Sequence, residues 1–137
     1  MVLGNLASGA KRISTRSKMT KNRWSIVNPD PTLRQNLMIF GFECGKGWWP
    51  LICETLDRVQ AIVDRDGLDD ISITQVKEKF GELRIYTSSF TEEIDDIIQA
   101  ATDRSLTICE QCGKPGSLRN NHGWLITLCD ECQKKMS

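Results

Sequence analysis

Cys109-Glu110-Gln111-Cys112, then 16 residues, then Cys129-Asp130-Glu131-Cys132 is the stretch that decides how this chain is read. Two residues between cysteines let both thiolates turn toward one ion while backbone N–H groups bond to sulfur, and two such pairs fill a tetrahedral zinc shell. Gly113 lets the first knuckle turn tightly. Ser117-Leu118-Arg119 and Trp124-Leu125-Ile126-Thr127 read as short strands around a turn at Asn120-Asn121-His122-Gly123. Gln133-Lys134-Lys135 then read as a helical turn. Together these signals predict a treble-clef-like or ribbon-like zinc module over residues 107–137, with one structural Zn2+ on Cys109, Cys112, Cys129 and Cys132. Four thiolates leave no open position for water, so this ion is expected to supply folding energy and no catalysis. Redox CxxC motifs come singly and disulfides need an oxidising compartment, so neither fits as well. His122, the single histidine of the chain, reads as an exposed turn residue.

Upstream of the module the pattern alternates between helical and extended periods. Trp24, Ile26 and Val27 form a short apolar segment. Asp30 can cap a helix that Pro31 begins, with Leu33, Leu37 and Phe40 at helical spacing. After the Gly45-Lys46-Gly47 break, Trp49, Ile52, Cys53, Leu56, Val59 and Val63 make one apolar stripe, which Asp66-Gly67 ends. Residues 71–87 switch to a two-residue period: Ile71, Ile73, Leu83 and Ile85 against Ser72, Thr74 and Arg84. Gly81 is the turn former, which predicts a hairpin, with room for a bulge. Ser89 and Glu92 have capping-box spacing and open a third helix with Ile94, Ile97, Ile98 and Ala101 inside. Glu92, Glu93, Asp95 and Asp96 suit its N-terminal dipole. The fold class this predicts is α+β: short helices packed on a small antiparallel hairpin or sheet, residues 24–106, followed by the zinc module. The module is expected to dock on the core, because Trp124, Leu125 and Ile126 are too apolar to stand free.

The 137 residues carry 18 basic and 18 acidic side chains, and this balance hides an asymmetry. Lys11, Arg12, Arg16, Lys18, Lys21 and Arg23 lie in an N-terminal arm, residues 1–23, whose composition is that of a disordered leader. Met19-Thr20-Lys21-Asn22 offers an alternative start. From residue 30 onward 12 basic face 18 acidic side chains, a charge of −6 that argues against a broad phosphate-binding surface. No run of apolar residues is long enough to span a membrane, and residues 1–23 hold no signal-peptide apolar region, so a cytoplasmic setting in a bacterial host cell is expected.

Three motifs, in order, carry a family resemblance: Phe40-Gly41-Phe42-Glu43-Cys44-Gly45-Lys46-Gly47-Trp48, Val76-Lys77-Glu78-Lys79-Phe80-Gly81-Glu82-Leu83-Arg84-Ile85-Tyr86, and the cysteine module with Pro115-Gly116 and Gly123-Trp124. Over residues 36–132 the chain resembles a set of small uncharacterised proteins of phages, prophages and bacterial genomes. That family has aspartate at the position of Lys46, glycine at that of Glu82 and often histidine at that of Cys132. The resemblance implies a phage or prophage setting and no particular activity. The tail alone is similar to the DksA/TraR-type zinc finger, without that family's long coiled coil.

The function these readings favour is a zinc-stabilised interaction protein that binds a host or phage macromolecule, with inhibition of a host defence enzyme as one form of it. Glu43, Lys46, Trp48, Lys77, Lys79, Arg84 and Tyr86 mix charge with aromatics as hot-spot surfaces do, and form the expected protein-partner surface. The alternative is a nucleic-acid-binding or transcription-modulating finger protein using Lys11, Arg12, Arg16, Lys18 and Arg119, with Lys114, Lys134 and Lys135. An enzyme is the third and least favoured class. It would rest on carboxylates such as Glu43 and Glu78, or on Cys44 as a reactive thiol, and no catalytic residue is assigned. Cys53 reads as a small core residue.

Overall fold

The computed structural model describes residues 24–27 and 41–136. The basic arm and the helix expected after Asp30 lie outside the described residues. The remainder is α+β. A two-residue strand β1 (Phe42–Glu43) leads through a 3-10 turn (Lys46–Trp48) into α1 (Trp49–Asp66). The hairpin β2 (Ile73–Lys79) and β3 (Glu82–Thr87) follows, then α2 (Glu92–Ser105). The module contributes β4 (Ser117–Asn121), β5 (Trp124–Leu128) and α3 (Asp130–Met136). β1 pairs parallel to β2, and β2 antiparallel to β3. The parallel strand was not foreseen, because two residues give no readable periodicity.

α1 ends at Gly67, whose φ of 63° makes the left-handed cap expected there. Its buried stripe is rotated from the expected one. Leu51, Thr55 and Ile62 join Ile52, Leu56, Val59 and Val63 inside, whereas Trp49 is 41% exposed and Cys53 half-buried. The cause is the preceding 3-10 turn, which sends Trp48 into the core. Trp49 is left to pack edge-on against Phe42, with ring centroids 6.1 Å apart. Thr55 is tolerated inside because its hydroxyl donates to the Leu51 carbonyl at 2.7 Å.

The hairpin turns through Phe80 and Gly81 with φ of 55° and 85°, the two positive values of a type I′ loop, whose twist matches that of the flanking strands. A register irregularity between Ile73 and Gln75 supplies the bulge. It resets the alternation so that Ile73, Val76, Leu83 and Ile85 all face the helices. Thr91, not Ser89, caps α2: its hydroxyl accepts from the Ile94 N–H at 3.3 Å. Ile94, Ile97 and Ala101 are buried as expected. Ile26 closes the core from the far side, its carbonyl accepting from the Ile73 N–H at 2.8 Å.

β3 would otherwise present free backbone groups at its outer edge. Two hydroxyls of α2 cover them. Ser105 Oγ accepts from the Leu83 N–H at 2.9 Å, and Thr102 Oγ1 donates to the Leu83 carbonyl at 2.9 Å. Ser105 is fully buried and also donates to the Thr102 carbonyl at 2.6 Å. Ser105→Ala should therefore orphan a buried N–H and lower stability by about 1–3 kcal/mol in urea unfolding. A change below about 0.5 kcal/mol, the range of ordinary surface substitutions, would show that the edge has another acceptor.

Candidate metal centre and the surface it supports

The four cysteines reach one point from three elements. Cys109 and Cys112 flank a tight knuckle closed by the Gly113 N–H donating to the Cys109 carbonyl at 2.9 Å. Cys129 follows β5 directly, and Cys132 lies in the first turn of α3. The second pair is thus split between a strand end and a helix start. All four Sγ atoms lie within 4.8 Å of one another, and those of Cys112 and Cys129 are 3.6 Å apart. A disulfide needs about 2.05 Å. Sulfurs at tetrahedral corners around one ion, with bonds of about 2.3 Å, lie about 3.8 Å apart. The cluster can therefore hold a metal ion.

The surroundings favour thiolate at one corner first. Burial works against ionising Cys109, but N–H groups of Cys129, Cys112 and Gln111 outweigh it and bring the thiol down to about 6. Cys132 is pushed up to about 12, chiefly by its hydrogen bond with Cys129 and then by desolvation. Without a cation, negative charge on one sulfur keeps its neighbours protonated; an ion at the centre would remove that conflict. The module is tied together around the site. Arg119 donates from Nε to the Leu128 carbonyl at 3.1 Å and from Nη2 to Asp130 Oδ1 at 2.7 Å, clamping hairpin to helix. The Asn121 and Gln133 carboxamides exchange two hydrogen bonds, at 3.0 and 2.9 Å.

The module is seated on the core by backbone, not by a greasy face alone. The Gly47 N–H donates to the Glu110 carbonyl at 2.7 Å, the Gly45 N–H to Glu110 Oε2 at 2.9 Å, and the Trp48 indole N–H to the Ile108 carbonyl at 2.8 Å. No side chain fits at position 47, where a Cβ would stand 2.6 Å from the Gly113 nitrogen and 2.7 Å from the Glu110 carbonyl carbon. At the other end Gly81 abuts the hairpin, a Cβ there meeting Leu118 and lying 3.2 Å from the Ile126 nitrogen. Thr127 Oγ1 donates to the Gly81 carbonyl at 2.7 Å. Glu110 is 7% exposed; burial raises its carboxyl, the Gly45 N–H opposes this, and Glu78 adds to it.

These contacts redistribute the residues singled out in the sequence. Trp48 is completely buried, so it is a core and docking residue and is corrected from the partner surface. Glu43, Lys77, Arg84 and Tyr86 do come together on the outer sheet face, through the pairings of Glu43 with Lys77, Lys77 with Arg84, and Gln75 with Tyr86. Much of their charge is already engaged: Glu43 accepts from Gln75 at 2.9 Å, and Arg84 pairs with Glu82 at 2.6 Å. Lys46 stands apart, 5.9 Å over the Trp49 ring, and Lys79 lies 5.7 Å over Phe80. Arg119, of the nucleic-acid set, is engaged in the clamp through Nε and Nη2, with its side chain 23% exposed. Lys11, Arg12, Arg16 and Lys18 lie outside the described residues. Cys44 is half-buried, and burial first, then Glu110 and Glu78, push it up to about 12.

One surface was missed. Trp124 was expected to be covered by docking, yet it is 67% exposed, and Phe80 is 65% exposed. The second hairpin turns at His122-Gly123, with φ of 57° and 92°, and shares a groove with Phe80. Phe80, His122, Gly123, Trp124, Leu125 and Glu78 line a groove of about 420 Å³. On the other side of Trp124, a groove of about 520 Å³ is lined by Asn121, His122, Trp124, Gln133 and Met136. A bulky residue at positive φ is unusual in any turn, and here it holds an aromatic ring in solvent. The one sequence signal was Phe80-Gly81 itself, a two-residue loop that places an aromatic where asparagine or aspartate is usual.

No family model matches the chain, and no match is found among curated proteins or solved structures.

Two outcomes follow from this geometry. Cys109→Ser should abolish stoichiometric metal retention through gel filtration, measured by elemental analysis, whereas Cys53→Ser should leave it intact. Because its folded thiol sits far above the ordinary value, Cys44 should resist iodoacetamide at pH 8 and become labelled only on denaturation, read by mass spectrometry. Rapid labelling of folded protein at Cys44 would contradict the burial.

Proposed function

We propose that this chain is a zinc-stabilised interaction protein of the phage or prophage type. It engages a host or phage protein through the Phe80–Trp124 surface, and inhibition of a host defence enzyme is one form such binding takes. The single observation that supports the reading is an indole and a phenyl ring held two-thirds exposed at adjoining hairpin tips, one of them at positive φ. Large rigid aromatics flanked by shallow grooves are what protein hot spots use. Zinc is the ion that suits four thiolates around a closed tetrahedral centre. A protein partner is favoured over nucleic acid because residues 30–137 carry 12 basic against 18 acidic side chains, and Arg119 is engaged inside the module.

The test is a pull-down from host lysate with the full chain, followed by titration of the recovered protein. Trp124→Ala should weaken binding about 30-fold or more, the scale of about 2 kcal/mol for a hot-spot residue, with metal content and circular dichroism unchanged. Trp48→Ala should instead lower thermal stability. Binding that collapses steeply between 50 and 200 mM salt would move the reading to nucleic acid. Binding indifferent to Trp124 and Phe80 would remove it.

A further inference from the structure

The Phe80–Trp124 surface is composite, and its two halves belong to parts of the chain with unequal means of support. Phe80 sits on the β2–β3 hairpin, which the main core holds. That core buries Ile52, Leu56, Val59, Val76, Leu83 and Ile94, and from the module only Ile108 packs at its margin. Trp124 sits on the β4–β5 hairpin. Around it the module's buried hydrophobic cluster holds Ile126 and Leu128 besides Cys109 and Cys129. A two-stranded hairpin and a seven-residue helix are marginal by themselves in water. What orders this part is the meeting of four sulfurs at one point.

The module groups that hydrogen-bond across the two halves lie within two residues of those sulfurs in the chain. Gly47 and Trp48 donate to the carbonyls of Glu110 and Ile108, the neighbours of Cys109. Thr127, two residues before Cys129, donates to the Gly81 carbonyl, and Gly81 packs on the Ile126 nitrogen. These partners are in place only while the knuckle and the end of β5 are fixed.

We propose that metal occupancy gates the partner surface: with the ion bound, the knuckle and β5 dock on the Gly45–Trp48 loop and on Gly81, and only then do Phe80 and Trp124 form one surface. This rests on the reading of that surface as the binding site. Loss of the ion frees the loop and separates Trp124 from Phe80, so the chain binds its partner according to zinc supply. Coupling runs both ways, so damage to the docking contact weakens the metal site in turn.

The experiment uses the full chain under reducing conditions, with zinc and with excess chelator. Hydrogen exchange is followed at the Gly45 and Gly47 amides and the Trp48 indole N–H. Protection at these three positions should fall more than tenfold on metal removal. α1 and α2 should keep their protection; if they open too, the ion holds the whole fold and the gate is overturned. Unchanged protection overturns the gate. A second measurement needs no chelation: Gly47→Ala, read by zinc competition with a chromogenic chelator, should bind zinc about tenfold more weakly. Wild-type affinity in that variant also overturns it. Neither readout involves a partner, so a failed pull-down would sink the proposed function and leave these results standing. If a partner is recovered, chelation should release it as Trp124→Ala does, and retention by metal-free chain would refute the gate.

Discussion

Four thiols converging within 4.8 Å cannot all carry charge together unless a cation lies among them. Much of the rest depends on how that conflict is resolved. The Cys109–Cys112 knuckle that brings them together is also a ledge, with the Ile108 and Glu110 carbonyls pointing toward the core. The Gly45–Trp48 loop, the 3-10 turn and the first residues of α1 are seated on that ledge by three hydrogen bonds. The module is therefore better understood as one wall of the protein than as an appendage. The absence of a side chain at Gly47 is what lets loop and ledge touch.

The same docking explains why the chain tolerates strain at its surface. A phenylalanine with φ of 55° costs free energy on an isolated hairpin. Here the neighbouring Gly81 is packed against Ile126 and bonded by Thr127, which holds the turn in place. His122 takes the same backbone conformation at the facing tip. The outcome is a local apolar ridge on a body whose charge is otherwise acidic and mostly carried by the exposed faces of α1 and α2. Surface ion pairs such as Arg65 with Glu93 and Arg104 with Glu54 are exposed and contribute little to holding those helices.

Periodicity served well where burial followed it over several turns. α1 and α2 stand where their stripes put them, and the hairpin falls around Gly81. It failed where a neighbour reset the phase. The 3-10 turn exchanged Trp48 for Trp49, and the bulge near Thr74 moved Val76 inward. It also failed where an element was too short to have a period, as in β1. Both glycine motifs were legible as unusual, but their composition suggested an outward-facing surface. Their actual partners, Glu110, Gly113, Ile126 and Thr127, lie tens of residues away, and no local pattern encodes such a contact.

By itself the sequence determined which four cysteines cluster, because CxxC spacing is a local geometric property, and it determined the α+β class, because helical and extended periods are local too. Only the tertiary structure decided which aromatics are inside. Trp48, Trp49, Phe80 and Trp124 are equally apolar in the sequence, but burial depends on what stands opposite each ring. That is set by the docking of two glycine turns on the Cys109–Cys112 knuckle and its hairpin, a contact between residues far apart in the chain.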